Sequence, residues 1–124
     1  MRDIEDVASE VVDSALKVHR ALGPGLLESV YELAMAHELT KRGLKVERQV
    51  AVIVEYEGIS LGTGFRMDLL VDERVIVELK SVDKVNPVYK FQVLTHLRLA
   101  HKKIGFLINF NVPLIKDGIQ RFVT

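Results

Sequence analysis

Met67-Asp68-Leu69-Leu70-Val71-Asp72-Glu73-Arg74-Val75-Ile76-Val77-Glu78-Leu79-Lys80 is the stretch from which the fold is read. Two apolar runs flank a polar triplet, the pattern of two strands joined by a tight turn. If Asp72-Glu73-Arg74 is a three-residue loop, Val71 pairs with Val75. The antiparallel register then sets Asp68 opposite Glu78, both side chains on one face. The strands are predicted over 59–71 and 75–81, with Gly62 and Gly64 marking a bulge or a close backbone approach in the first. In the second, Glu78 and Lys80 point one way and Leu79 the other.

Working outward, Val46, Val50, Val52, Val54 and Tyr56 recur at even spacing and are predicted to share one face of a strand, closed by a Glu57-Gly58 turn. Before Gly43 the period is near 3.6: Ile4, Val7, Ala8, Val11, Val12, Ala15, Val18 and Leu22 define an amphipathic helix over 3–22 with Asp3 as N-cap. Gly23-Pro24-Gly25 breaks it, and a second helix over 26–42 ends where Gly43 supplies a left-handed cap. Downstream, Asn86-Pro87 opens a third helix to 101. The apolar run 104–110 reads as a strand covered on both faces, and a strand over 119–123 follows the Lys116-Asp117-Gly118 turn. The order α-α-β-β-β-α-β-β is an α/β (α+β) fold, a mixed central sheet flanked by helices.

The chain has 124 residues, 48% hydrophobic and 27% charged, with no repeat or low-complexity linker, so one domain over 1–124 is expected. The absence of cysteine removes thiolate zinc sites, iron–sulfur clusters and a cysteine nucleophile, and fits a reducing cytoplasm. The acidic start lacks a signal-peptide core and no apolar run approaches the about 20 residues of a membrane span, so a cytoplasmic protein with no membrane partner is expected. The 17 basic and 17 acidic groups cancel, but unevenly: residues 1–38 carry three basic and eight acidic side chains, residues 80–103 six basic and one acidic. Neutrality argues against nonspecific coating of nucleic acid and leaves room for a local basic face.

Like charges facing each other destabilise an ordinary sheet, and charges set among Met67, Leu69, Val77 and Leu79 are expensive to leave unpaired. A hard divalent cation reverses that cost, because Mg²⁺ takes one or two carboxylates and keeps several waters. On this reading Asp68 and Glu78 are metal ligands, the Leu79 backbone carbonyl is a third, and Lys80 orients a water or stabilises phosphoryl charge. The plainer reading is a surface Glu78–Lys80 ion pair beside a solvated Asp68. Gly25-x-x-Glu28-x-x-Tyr31 also admits two readings. Glu28 and Tyr31 share a helix face, the glutamate touching a metal-bound water and the tyrosine positioning it, or Glu28 is a first-turn acid and Tyr31 is core. Gln92, polar on a largely apolar helix, either points at the site or is exposed. His19, His37, His96 and His101 form no short ligand pair, so no transition-metal site is expected, and Gly62-x-Gly64 is no dinucleotide fingerprint.

Gly25-x-x-Glu28-x-x-Tyr31, Asp68, Glu78-x-Lys80, Gln92 and Gly105-Phe106-Leu107-Ile108-Asn109-Phe110, in that order over nearly the whole chain, resemble the GxxExxY proteins of the PD-(D/E)XK nuclease-like superfamily. The resemblance implies a restriction-endonuclease-like αβββαβ core preceded by an extra N-terminal helix. It also implies Asp68 and Glu78 as metal ligands, Lys80 as catalytic lysine, and Glu28 and Gln92 as accessory residues. Two positions depart from the pattern: His96 stands where many relatives carry tyrosine, and Arg66-Met67 precedes the aspartate without proline. The expected activity is Mg²⁺- or Mn²⁺-dependent hydrolysis of phosphodiester bonds in nucleic acid, DNA before RNA, with Lys84, Lys90 and Arg98 drawing the phosphates in. The alternatives are a nuclease-fold binding module with little or no catalysis and a structure-specific junction nuclease. A homodimer is a further expectation, because so small a domain offers little surface for gripping a duplex.

Overall fold

The computed structural model describes residues 2–124, which form α1 (Ile4–Leu22), α2 (Glu28–Lys41), β1 (Val46–Tyr56), β2 (Ile59–Val71), β3 (Val75–Lys80), α3 (Val88–Leu99), β4 (Ile104–Asn109) and β5 (Ile119–Val123). A single 3-10 turn, Ile115–Asp117, precedes β5. The strands lie side by side in chain order. The pairs β1–β2, β2–β3 and β4–β5 are antiparallel, and β3 and β4 run parallel with α3 as their crossover. This is the mixed, helix-flanked sheet of a restriction-endonuclease-like fold.

Local chemistry sets the helix ends. The Asp3 carboxylate accepts the Glu5 N–H at 3.0 Å and caps α1. Residues 23–27 stay outside α2, with Gly23 and Gly25 at φ +74° and +95°, so that helix starts at Glu28 rather than at residue 26. Asn86 caps α3 through its side chain, which accepts the Val88 N–H at 3.0 Å. The helix stops at Leu99 because His101 takes the left-handed position (φ +56°) usually given to glycine, and Lys102 N–H closes onto Leu97 O.

The sheet separates two cores. Leu69, Val71, Val75, Val77, Leu79, Ile104, Phe106 and Ile108 pack against Val7, Val11, Ala15, Tyr31, Met35 and Leu39 of α1 and α2. On the other face Met67, Leu70, Ile76, Leu107 and Phe122 pack against Val93 and Leu97 of α3. Alternation along β3 therefore buries Leu79 under α1 and α2 and turns Glu78 and Lys80 toward α3. Complete burial of a leucine such as Leu79 stabilises the fold by about 1.5–3 kcal/mol.

Two strand features differ from simple alternation. The predicted common face of β1 is divided: Val46 packs with the α1–α2 core and Val50 and Val52 with the α3 core. The break falls at Gln49, whose backbone has φ +53°. Farther along the hairpin the register shifts near Val52 and Ile53, opposite Gly64. A Cβ on Gly64 would overlap Val54 Cγ2, which is why glycine stands there. The hairpin itself turns on Glu57 and Gly58, both at positive φ, between paired Tyr56 and Ile59.

Candidate active site

Val71 pairs with Val75 as the three-residue loop requires, but the β2–β3 ladder ends at Leu69–Val77. At the next position Asp68 uses its side chain instead, Oδ2 accepting the Leu79 N–H at 2.8 Å. β2 thus leaves β3 just where its carboxylate takes up a backbone donor. The space opened there is a cleft of about 200 Å³, lined by Glu28, Arg66, Asp68, Glu78, Lys80, Tyr89, Gln92 and His96 with apolar Val93 and Leu107 at its base.

Glu28 reaches the cleft because the start of α2 is tied to the end of β3: the Ser81 hydroxyl donates to Leu26 O at 2.6 Å. Tyr31, expected beside Glu28, is completely buried. Its hydroxyl donates to Gly23 O at 2.6 Å and accepts the Leu26 N–H at 3.1 Å, and its ring stacks on Phe110 at 4.4 Å. It pins the loop before α2 and does not line the cleft. Asn109 has a similar part, its carboxamide bonding both the N–H and the carbonyl of Val82 and so holding the chain that leaves Lys80. Two residues of the quoted motifs are therefore anchors for the loops around the cleft.

Glu78 is almost wholly buried. His96 Nδ1 lies 3.0 Å from its Oε1, and the imidazole is stacked on Phe65 with ring centres 4.0 Å apart. His96 thus meets the glutamate directly. The Lys80 ammonium sits 4.2 Å from the centre of the Tyr89 ring, a cation–π contact that restrains it on the cleft wall. Gln49 Nε2 lies 2.6 Å from Glu32 Oε1 and 3.3 Å from Asp68 Oδ1, and Arg48 donates twice to Glu32 Oε2.

Three carboxyl groups share this small volume. Burial raises the pKa of Glu28, Asp68 and Glu78 above the ordinary carboxylate value. In each case burial is the largest cause, and a neighbouring carboxylate adds to it: Asp68 for Glu28 and Glu78, Glu32 for Asp68. The Lys80 charge opposes the rise at Glu28 and Asp68, and the His96 hydrogen bond opposes it at Glu78. Among the described residues no three acidic, imidazole or thiol groups are close enough to hold an ion by themselves. The donor set is two carboxylates with room for water, which fits a hard divalent cation that keeps much of its hydration shell.

Lys84 and Lys90 are exposed in the loop before α3 and in its first turn. Arg98 lies beyond the cleft, in a groove with His101, Lys102 and Lys103 at the other end of α3. The basic segment 80–103 is therefore split between the two ends of that helix. Arg66, Tyr89 and Gln49 were not legible as site residues. Arg66 stands two residues before Asp68, but a lone arginine beside a strand aspartate has no distinctive spacing, and Tyr89 emerges only from the helical step to Gln92 and His96. Gln49 shows itself only through the register of β1 with β2.

No curated protein and no solved structure matches this sequence. The two strand carboxylates, the lysine two residues after the second, and the helix that crosses over them lie within residues 5–122, which match a sequence model described as the PD-(D/E)XK nuclease superfamily, and the chain belongs to that superfamily.

Proposed function

We propose that this protein is a divalent-metal-dependent nuclease hydrolysing phosphodiester bonds, with DNA as its substrate, and that within the superfamily it is a GxxExxY protein. The observation that carries the reading is the convergence of Glu28, Asp68, Glu78, Lys80 and Gln92, from four separate elements, on one cleft in which the carboxylates are short of positive charge. PD-(D/E)XK nucleases generally use divalent metals. Asp68 and Glu78 would hold the ion, with the Leu79 carbonyl as a further oxygen. The bound cation supplies a Lewis acid for the phosphoryl oxygen and an acidified water.

The chain's own groups divide the remaining work. Lys80, restrained over Tyr89, places a fixed positive charge where negative charge develops on phosphorus-bound oxygen. Glu28, whose carboxyl burial shifts above the ordinary glutamate range, exchanges a proton with water at its end of the cleft. Gln92 offers a neutral donor and acceptor to orient water or phosphate. Lys84 and Lys90, exposed beside the first turn of α3, favour approach of a phosphate backbone from that side.

The test is cleavage of linear duplex, single-stranded and four-way-junction DNA with Mg²⁺ or Mn²⁺. Activity that disappears in Asp68→Ala, Glu78→Ala and Lys80→Ala is expected, and selective cutting of the junction identifies a structure-specific enzyme. Failure to cut any DNA or RNA form with either metal would overturn catalysis in favour of a binding module.

A further inference from the structure

Asp68 is gripped on both oxygens. Oδ2 takes the Leu79 N–H and Oδ1 faces Gln49 Nε2. Gln49 lies between the pairs Arg48–Leu69 and Val50–Met67, directly across from Asp68, yet its backbone is left-handed at φ +53°, a conformation glutamine seldom adopts. The strand changes core at this residue. A conformation that costs free energy persists where the surroundings over-determine it, and here the surroundings are specific: the amide nitrogen is 2.6 Å from Oε1 of Glu32, a glutamate only 7% exposed, whose other oxygen is held by the Arg48 guanidinium at 2.8 and 3.1 Å.

The chemistry of the bridge is as informative as its geometry. A primary amide carries two N–H donors and no charge. One is directed at Glu32, the other at Asp68, so the amide must present nitrogen and not oxygen to Asp68. A lysine or arginine in this place would hold Asp68 equally well but would neutralise it and repel a cation. Glutamine orients the carboxylate and leaves its charge available. The charge of Glu32 is matched by Arg48, which leaves the Asp68 charge to the cleft.

We propose that Gln49 is a positioning residue for the metal ligand Asp68, locked by the Arg48–Glu32 pair, and that its left-handed backbone is retained for this purpose. The inference rests on the metal reading of the cleft. Outer partners that orient a ligand typically change metal affinity by about 10–100-fold when removed.

The discriminating variant is Gln49→Gly. Glycine tolerates φ +53° without strain, so the fold is expected to melt within a few degrees of wild type, whereas Mn²⁺ affinity, read by calorimetry and by the paramagnetic resonance of free Mn²⁺, is expected to fall about tenfold or more. A merely structural Gln49 predicts that stability and affinity decline together. Glu32→Gln is expected to weaken Mn²⁺ binding as well, and the double variant to lose little more than either alone, since both act through one bridge. Wild-type affinity in Gln49→Gly overturns the role of Gln49 and leaves the metal site standing. Absence of Mn²⁺ binding in wild type, or binding unaffected by Asp68→Ala, overturns the metal reading and the role of Gln49 with it.

Discussion

Tyr31→Phe separates the anchoring role of this tyrosine from a catalytic one. The substitution keeps the ring, its complete burial and its stacking on Phe110 at 4.4 Å, and removes only the hydroxyl. Two hydrogen bonds go with it, one to Gly23 O at 2.6 Å and one from Leu26 N at 3.1 Å. A net hydrogen bond contributes about 0.5–1.5 kcal/mol. Leu26 is exposed and Gly23 half-buried, so water replaces part of what the backbone groups lose. The expected cost is therefore about 1–2 kcal/mol, and at this chain length each kilocalorie lowers the melting temperature by roughly 3–5 °C. Calorimetric melting should show a drop of about 3–10 °C, with Mn²⁺ affinity within twofold of wild type because no atom of Tyr31 lines the cleft. An unchanged melting temperature together with a tenfold loss of metal affinity would refute the reasoning and return Tyr31 to the site.

Glu78→Gln is expected to raise the melting temperature of the metal-free protein at neutral pH while abolishing Mn²⁺ binding, since burial has pushed this carboxyl up and ionising it there costs stability; a lower melting temperature in chelator would contradict that account. Glu38 behaves in the opposite sense: hydrogen bonding to Arg42, and then to Lys17 and Lys41, lowers its pKa from 4.5 to about 2. Its contribution is present above pH 4.5 and is lost as the pH falls toward 2, so a melting-temperature profile over this window should be flatter for Glu38→Gln than for wild type.

The parts of the fold legible in the sequence were those governed by short-range period and end chemistry. Asp3, Asn86 and Gly43 marked helix ends correctly because caps are local. The Val71–Val75 register followed from loop length alone. His101 ending a helix in a left-handed conformation was not legible, because nothing nearby distinguishes it from a helical histidine. The face change at Gln49 was equally hidden, since the partners of its side chain, Glu32 and Asp68, lie 17 and 19 residues away in the chain. For the site, Asp68, Glu78 and Lys80 could be placed by strand alternation, and Glu28 and Gln92 join them in the cleft. Tyr31 shows the limit of motif spacing. A residue three positions from an acid shares its helix face only broadly, and the turn of α2 that aims Glu28 outward carries Tyr31 under the loop.

The zero net charge takes on a different meaning once the side chains are located. In formal charges of its acids, arginine and lysine, the cleft sets Glu28, Asp68 and Glu78 against Arg66 and Lys80, a local excess of one negative charge. Arg98, Lys102 and Lys103, half of the six basic groups of the segment 80–103, stand in a groove at the far end of α3. A phosphate approaching the metal-free cleft therefore meets net repulsion at contact distance, where screening by salt is weakest. Two added charges from a divalent ion reverse the sign, leaving an excess of one positive charge beside Lys80. On the proposed reading the order of events follows from this arithmetic: the cation binds first and creates the phosphate site, and the carboxylates that make the empty cleft costly are what give the loaded cleft its substrate.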